Sequence, residues 1–350
     1  MIATRVFHVP SHVNYVSKLR GASFRPVPSP TRRPTRVGDL LAARSWDFFD
    51  VLHLHTVELA TLPELRGLAD RLVQLRKPLV VTVHDLRPNI ENDTDVFHRK
   101  LALVLKRAAA ALTLTQAAAD RLVSLIGASR PFEIVPHGQA LASTELPGSA
   151  VGNPDGGLAV FGALRPNRDL RSAVAAWWSV PPPRPRLRVL LRSVSAADRS
   201  RDESLLRFLG HVARTDRNCT VEIRPRLVPD RELVAWLTGA AALVLPYRWI
   251  THSGQLELAC DVGVPLLAPD EPTLRGQLAA NGRENHPVSW FPSGVLGTGE
   301  FTDHLLKALT LAHPTRGDQL AFRAFRQVEH ARLIGSHAAL YDRIRSPSAV

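Results

Sequence analysis

The sequence predicts an α/β protein built from two doubly wound domains, each around a parallel sheet. Three observations support this prediction. Strand-like runs alternate with amphipathic helical patterns in the first 141 residues, the same alternation restarts at residue 158, and a stretch without periodicity separates the two halves. At 350 residues the chain is also long enough for two cores of moderate size.

In the first half, the run PLVVTVH is apolar on both faces, as expected for a strand covered by helices on each side. Helical patterns cover residues 62–76 and 97–109. The first predicted domain spans residues 1–141. Its candidate strands are residues 5–9, 51–55, 79–84, 111–115 and 133–136.

Residues 142–157 are rich in Gly, Pro, Ser and Asn and are predicted to form a linker. The second predicted domain spans residues 158–318, and residues 319–350 carry a helical pattern that is expected to cross back to the first domain. The candidate strands of the second half are residues 158–162, 187–191, 220–224, 242–245 and 264–268; its helical patterns include residues 169–178, 230–240 and 255–262.

The chain is basic, with 44 Lys and Arg against 32 Asp and Glu, a formal net charge of +12. Such a surface favours anionic partners, among them phosphorylated small molecules and anionic membrane faces. No stretch approaches the ~20 apolar residues of a membrane span, and the N-terminus lacks the apolar core of a secretory signal. We therefore expect a cytoplasmic protein that can associate peripherally with a membrane. The arginines that would contact it are Arg20, Arg25, Arg32, Arg33 and Arg36.

Several motifs are absent. There is no GxGxxG dinucleotide fingerprint after the first strand, no GxxxxGK[ST] phosphate loop, no GxSxG and no HExxH. The two cysteines, Cys219 and Cys260, have no ligand-like spacing. The arginines are not interleaved with aromatic residues in the manner of single-strand binders, so nucleic acid is not an expected partner.

The richest candidate site lies in the second half, where a strand ends at Pro246 and a polar loop leads to Ser253 and Gly254. Ligands of open parallel sheets bind at the carboxyl ends of strands, near the free N–H groups of helix N-termini. Ser253 is expected to cap a helix, and Gly254 lets an oxygen approach the backbone, which suits a diphosphate. Glu257 suits ribose hydroxyls, although a capped helix with an early acidic residue explains the same pattern.

Two arginines follow the first strand of the second half. Arg165 and Arg168 lie in the loop after residues 158–162, and Asp169 is a candidate N-cap. Two guanidinium groups above a strand end can bind a diphosphate and stabilise the charge of a leaving group, which removes the need for a metal. The alternative is two exposed arginines in a turn.

In the first half, His84 and Asp85 stand at a strand end, where they could assist proton transfer or bind a sugar hydroxyl. His53 and His55 share one face of a strand because side chains alternate. No carboxylate or third histidine lies at a recognisable ligand spacing, so no metal site is expected. His12, in the loop after the first strand, is a further candidate.

The order of these segments resembles family 4-like glycosyltransferases of the GT-B type. The resemblance covers about residues 50 to 270 and rests on the succession VLHLHTVE, VVTVHD, ALTLTQAAADRL, EIVPHG, FGALRPNRDL, VPDRELVAWLTGAAALVLPY and THSGQLELACDVGVPLLAP. It implies two Rossmann-like domains facing across a cleft, a donor site mainly in the second domain and an acceptor site mainly in the first. It also implies that no divalent metal is required.

By position, the resemblance places His84 near the transferred sugar and Arg168 where the family usually has a diphosphate-binding lysine. Ser253 and Gly254 match the diphosphate loop, and Glu257 matches the second glutamate of the family's pair.

The chain also departs from the family pattern. Trp249 stands where the first glutamate is usual, and Ala163 stands where an arginine is usual. A Gly-rich N-terminal loop is replaced by PSHVNY. The family implies retention of configuration, while TVHDLRPN also resembles some inverting bacterial GT-B mannosyltransferases. The donor sugar and the stereochemical outcome therefore stay open.

We expect a glycosyltransferase that moves a hexose from a nucleotide diphosphate sugar to an acceptor hydroxyl on a glycan, a lipid-linked acceptor or a small molecule. The expected mechanism is metal-independent and retaining. The catalytic candidates are His84 and Asp85; the donor-binding candidates are Arg165, Arg168, Ser253, Gly254 and Glu257; the acceptor-side candidates are His12 and His55. A catalytically silent binding protein of the same fold, and a nucleic-acid binder, are the alternatives.

Overall fold

The computed structural model of the chain describes residues 3–11, 14–28, 36–91, 93–127, 131–141, 153, 156–280 and 282–345. It divides into two compact units. The first comprises Met1–Gly138 and Val328–Val350, and the second comprises Gln139–Gln327. The predicted linker, residues 142–157, lies outside the described residues except at 153, 156 and 157. The predicted domain boundaries stay a prediction.

The first unit contains a six-stranded sheet in which all neighbouring strands run parallel. The strands are β1 (Thr4–Val9), β2 (Phe24–Pro26), β3 (Val51–Leu54), β4 (Leu79–Val83), β5 (Ala110–Thr113) and β6 (Glu133–Ile134). The helices are α1 (Asn14–Ser17), α2 (Val37–Leu41), α3 (Leu62–Gln74), α4 (Thr94–Arg107) and α5 (Gln116–Ile126). Every residue of β3, β4 and β5 is buried, because helices cover both faces of a doubly wound sheet.

The strand order of this sheet is β2-β1-β3-β4-β5-β6. The chain first moves outward from β1 to β2 and then returns to the other side of β1 to form β3. This reversal creates a topological switch point between the carboxyl ends of β1 and β3, where doubly wound proteins bind ligands.

The second unit repeats the architecture with a second six-stranded parallel sheet. Its strands are β7 (Leu158–Gly162), β8 (Leu187–Leu191), β9 (Cys219–Ile223), β10 (Ala242–Val244), β11 (Leu266–Pro269) and β12 (Val288–Phe291). Its helices are α6 (Leu170–Ser179), α7 (Ala196–Arg201), α8 (Glu203–Thr215), α9 (Asp230–Thr238), α10 (Gly254–Val262), α11 (Pro272–Ala280) and α12 (Gly299–Ala308). The strand order is β12-β11-β10-β7-β8-β9, so the switch point lies between β7 and β10.

The last helix, α13 (Arg316–Arg345), is shared by the two units. Its residues from Val328 onward belong to the first unit, where Leu333, Leu340 and Tyr341 are buried in a cluster with Val6 of β1. Among the described residues, no helix combines the length and apolar composition that a membrane crossing requires.

Local sequence signals explain most helix ends. Thr61 and Glu64 form a capping box at the start of α3, and Asp93 caps α4. Asp169, predicted as an N-cap, accepts a hydrogen bond from the backbone N–H of Ser172 at the start of α6. Gly263 ends α10 in the left-handed conformation, at φ 83°.

Candidate functional site

Histidine side chains converge at the switch point of the first unit. His8 lies in β1, opposite His53 of β3, and His55 and His84 directly follow β3 and β4. Nδ1 of His8 lies 2.9 Å from Nε2 of His55, and Nδ1 of His55 lies 3.2 Å from Nε2 of His84. The predicted candidates His55 and His84 are therefore neighbours, and His8, which the sequence did not indicate, joins them.

The inner members of this histidine cluster are held neutral by their surroundings. Burial lowers the pKa of His8 to about 3, with a smaller contribution from His337. Burial also holds the pKa values of His53 and His55 well below the usual 6.5, and the neighbouring histidines add to the effect. At neutral pH these three imidazoles are therefore uncharged.

Aromatic and hydroxyl groups surround the cluster. His53 hydrogen-bonds with the Tyr341 hydroxyl through Nδ1 and with Thr82 Oγ1 through Nε2, both at 2.7 Å. The Tyr15 ring packs edge-on against His84, with centroids 4.9 Å apart, and its hydroxyl lies 3.2 Å from Nε2 of His337. The cluster is thus a packed, hydrogen-bonded interior with His84 at its half-buried end.

Ligand nitrogens of His8, His53 and His55 lie within 4.8 Å of one another, a spacing that could hold a metal ion. Both ring nitrogens of His53 and of His55 already have a hydrogen-bonding partner, however. A metal would have to replace these bonds, so the residues fit hydrogen bonding better than coordination. The expected independence from a divalent metal stays a prediction.

Asp85, the second catalytic candidate, is half-buried next to His84. Together with His55 these side chains line a small cavity of about 10 Å³, which is close to the size that one water molecule needs. His12, the remaining candidate of this half, lies outside the described residues, as do Arg32 and Arg33.

In the second unit, Arg168 is held over the switch point between β7 and β10. Its Nη1 donates to the carbonyl of Ala163 at 3.1 Å and its Nη2 to the hydroxyl of Tyr247 at 3.4 Å. Its Nε is buried and has no hydrogen-bonding partner among the described residues. A guanidinium at the carboxyl edge of a parallel sheet is a type of group that binds anions.

The positive charge around Arg168 extends to two more arginines. Arg165 is exposed in the same loop, and the two close a turn through a backbone hydrogen bond of 3.1 Å. Arg192, directly after β8, was not predicted; burial lowers its pKa, and Arg168 and Arg165 lower it further through repulsion. Arg165 and Arg168 also line a cavity of about 330 Å³, in which Arg248 is paired with Asp169 at 2.9 Å.

Tyr247 connects Arg168 to the start of α10. Its hydroxyl lies 3.2 Å from Oγ of Ser253 and donates to Oε1 of Gln255 at 3.2 Å. Ser253 caps the helix, as predicted from the sequence, by accepting from the backbone N–H of Leu256. The predicted diphosphate residues Arg168 and Ser253 are therefore two hydrogen bonds apart.

Gly254, the first residue of α10, is exposed, whereas the rest of the helix is buried. A Cβ added there would meet no atom within 4 Å, so the space in front of the backbone is open. A helix N-terminus carries partial positive charge and offers free N–H groups to an anion. The open backbone of Gly254 thus directly follows Ser253, which Tyr247 links to Arg168.

Glu257 lies in the interior. It is 0% exposed, accepts from Nε2 of Gln277 at 2.8 Å, and pairs with Nη2 of Arg326 at 2.9 Å. Arg326 also pairs through Nε with Asp261, again at 2.9 Å. Glu257 therefore belongs to a buried ion-pair network of α10, and the ribose contact suggested by its position stays a prediction.

Comparisons with known proteins agree with this architecture. Residues 5–141 match the model of Glycosyltransferase Family 4. HepE from Anabaena, solved in complex with UDP and glucose, is 13% identical over 97% of this chain and 100% of its own, with a TM-score of 0.63. A sucrose-phosphate synthase from Thermosynechococcus elongatus is 14% identical over 89% of this chain and 78% of its own, with a TM-score of 0.60.

An α,α-trehalose 6-phosphate synthase from Burkholderia multivorans is 14% identical over 89% of this chain and 72% of its own, with a TM-score of 0.53. No curated protein matches the chain by sequence. The architecture is thus that of the GT-B fold, as expected from the sequence. The resemblance to family 4-like glycosyltransferases is confirmed for residues 5–141, which match the family model.

Proposed function

We propose that this protein of the GT-B fold is a glycosyltransferase that transfers a hexose from a nucleotide diphosphate sugar to an acceptor hydroxyl without a divalent metal. The observation that carries the proposal is the hydrogen-bonded connection from Arg168 through Tyr247 to Ser253, next to the open backbone of Gly254. Guanidinium and helix N–H groups on one edge can bind both phosphates and stabilise the departing nucleoside diphosphate.

The first unit would supply the acceptor side. His84 and Asp85 follow β4 at the sheet edge where ligands of this fold bind, and they are the groups proposed to contact the reacting sugar and the acceptor hydroxyl. His55 contacts His84 directly. Retention of configuration is the outcome that the family resemblance favours, and peripheral membrane docking through Arg20, Arg25 and Arg36 belongs to the same proposal.

A thermal-shift screen against UDP, GDP, TDP and ADP sugars tests donor binding, because a ligand of the native state raises its stability by mass action. UDP-glucose is the first donor to try, since HepE has been solved with it. Release of the nucleoside diphosphate in the presence of EDTA then tests transfer without a metal. No shift with any of the four sugars, or activity that EDTA abolishes, would contradict the proposal.

We expect Arg168→Ala to weaken binding of the nucleoside diphosphate by about 1.5–3 kcal/mol, the value of one hydrogen bond to a charged group. Titration calorimetry with the diphosphate identified in the screen measures the loss. Arg207→Ala is the matched control, since Arg207 is exposed on α8 and 3.8 Å from Glu203. Equal affinities of the two variants would remove Arg168 from the site.

We expect Gly162→Ala to weaken binding of the same nucleoside diphosphate by a similar amount, about tenfold or more in affinity, because the substitution displaces Arg168. A Cβ at position 162 would collide with Nη1 of Arg168 and lie 2.6 Å from Nε2 of Gln255, and the backbone there has φ +139°, which disfavours a side chain. Gly299→Ala adds a methyl group to a position of the same unit with no atom within 4 Å and should leave the affinity unchanged.

A catalytically silent binding protein is the second candidate, and Trp249 in place of the family's first glutamate is the observation that favours it. The carbonyl of Trp249 accepts a hydrogen bond from Asn167 at 3.3 Å, so this position contributes backbone, not a carboxylate, to the loop. Donor binding without hydrolysis of the nucleotide sugar or transfer to any acceptor would establish this alternative.

A further inference from the structure

Arg192 is a third arginine at the edge of the second sheet where β7 and β8 end. It directly follows β8, and its backbone N–H donates to the carbonyl of Gly162 at 3.0 Å. Arg165 and Arg168 lie in the loop that follows β7, the strand that pairs in parallel with β8. Because the carboxyl ends of neighbouring parallel strands meet at the same edge of a sheet, the three arginines occupy one region of the second unit.

The positive charges of these three arginines are not balanced by neighbouring carboxylates. Within the part of the chain that the structure describes, none of the three forms an ion pair. Burial lowers the pKa of Arg192. Repulsion by Arg168 and by Arg165 lowers this pKa further, and each of these two effects is larger than the attraction by Asp230. Guanidinium groups that repel one another in the free protein favour an anion, which supplies the missing negative charge.

Other arginines of this unit are neutralised by the protein itself. Arg248, which lines the same cavity as Arg168, pairs with Asp169 at 2.9 Å. Half-buried Arg184 pairs with Asp216 at 3.0 Å. These pairs show what a structural arginine looks like in this chain, and the three arginines at the sheet edge differ from them by the lack of a carboxylate.

Two aromatic rings of one hydrophobic cluster position Arg192 and Arg168. The guanidinium carbon of Arg192 lies 5.7 Å from the centre of the Phe161 ring, and that of Arg168 lies 5.4 Å from the centre of the Tyr247 ring. Gln255 connects the two aromatic residues, because its Nε2 donates to the carbonyl of Phe161 and its Oε1 accepts from the Tyr247 hydroxyl. The core therefore sets the positions of both guanidinium groups before a ligand binds, which lowers the cost of binding.

We propose that Arg192 binds the nucleoside diphosphate together with Arg168 and that it makes the site select diphosphates over monophosphates. This inference rests on the proposed function and adds a residue and a selectivity to it. One guanidinium group matches two oxygens of one phosphate group, since its donors lie in a planar fork. Two guanidinium groups can therefore engage two phosphates, whereas a monophosphate needs only one of them. The donor class that follows is a sugar linked to a nucleoside diphosphate, not to a nucleoside monophosphate.

Titration calorimetry with the nucleoside diphosphate identified in the screen, and with the monophosphate of the same base, measures this selectivity. We expect Arg192→Met to lower the affinity for the diphosphate about tenfold or more, and the affinity for the monophosphate less than about threefold. Arg192→Lys keeps the charge without the planar fork and should recover part of the diphosphate affinity. Unchanged affinities of Arg192→Met for both nucleotides, or equal losses for both, would overturn the proposal.

Arg188→Met is the matched control. Arg188 lies within β8, is half-buried like Arg192, and has its guanidinium carbon 4.9 Å from the centre of the Trp236 ring. In contrast to Arg192, it donates to a protein acceptor, the carbonyl of Trp236, at 2.7 Å. We expect Arg188→Met to keep the ratio of diphosphate to monophosphate affinity. The same loss of selectivity in this control would contradict a specific role of Arg192.

Urea unfolding of the ligand-free protein separates a binding role of Arg192 from a structural one. Because two neighbouring charges repel this guanidinium, its removal should leave the unfolding midpoint unchanged or raise it. Loss of a structural arginine would lower the midpoint. A clearly lowered midpoint, or an Arg192→Met protein that does not fold, would therefore count against the proposal.

The inference and the proposed function fail separately. Inorganic pyrophosphate and inorganic phosphate probe the arginines without a base or a sugar. If no nucleotide sugar binds or is transferred, the proposed function fails, while these two anions still test Arg192. We expect pyrophosphate to bind more tightly than phosphate, and Arg192→Met to reduce this preference about tenfold. A preference that is absent, or one that Arg192→Met leaves intact, would refute the role of Arg192.

Discussion

Lowering the pH from 7.5 to 5 is expected to destabilise the first unit severely. Four of its histidines have folded-state pKa values below the usual 6.5, in each case chiefly because of burial. They are His8 with a pKa of about 3, His337 with a pKa of about 4, and His53 and His55 with pKa values well below 6.5. Below pH 6.5 the unfolded chain therefore binds more protons than the folded unit.

The sign and the size of the expected destabilisation follow from this difference in proton binding between the folded and unfolded states. The stabilisation is complete above pH 6.5 and is lost as the pH falls toward the folded-state pKa values. At pH 5, 1.5 units below the unfolded value, His8 and His337 each contribute a loss of about 2 kcal/mol, and His53 and His55 act in the same direction. The loss from His8 and His337 alone is a large part of the stability of an ordinary domain, which is about 5–15 kcal/mol.

Urea titrations at several pH values, read by hydrogen exchange of peptides from β3 and β8, measure the loss for each unit separately. His8→Leu removes one titrating group and should lower the pH slope of the first unit by up to about 1.4 kcal/mol per pH unit. A first unit equally stable at pH 7.5 and pH 5 would show that these histidines are not buried as described.

Arg326→Met is expected to destabilise the second unit by about 3–5 kcal/mol, because it leaves two buried carboxylates without their cation. Arg326 is 1% exposed and pairs with both Glu257 and Asp261. Even with this partner, burial keeps the pKa of Asp261 above its usual value. Chemical denaturation at pH 7.5 measures the effect.

Two further variants make this prediction specific. Arg332→Met makes the same change at an exposed position of α13 and should alter stability by no more than about 0.5 kcal/mol. The triple variant of Arg326→Met with Glu257→Gln and Asp261→Asn removes all three charges and should recover most of the loss. A triple variant as unstable as Arg326→Met alone would mean that packing, not charge, explains the effect.

The regular parts of the fold could be predicted because their signals are local. Apolar runs mark β7 and β8, and the structure places both strands at the predicted bounds. Two edge strands were missed. β2 is only three residues long and ends in Pro26, and β12 follows Pro287 without a clear alternation.

A residue of the candidate site could be predicted from the sequence only where its role depends on neighbours within the same short segment. Ser253 was identified because a capping residue directly precedes its helix. His8 was missed because its partner, His55, lies 47 residues away along the chain, and a histidine within a strand has no local signature. Arg326 lies within the helical pattern of residues 319–350 and was not singled out, since Glu257 and Asp261, which neutralise it, lie 69 and 65 residues away.

The sharing of α13 has a consequence for the order in which the chain can fold during synthesis. When Gln327 has been added to the chain, every residue of the second unit has been synthesised. The first unit still lacks Leu333, His337 and Tyr341 at that stage. Until these residues are synthesised, part of the apolar interior of the first 138 residues would therefore stay uncovered. The unit whose synthesis begins first is therefore the one that completes its folding last. A fragment made only of the N-terminal 138 residues would lack the part of α13 that this unit contains.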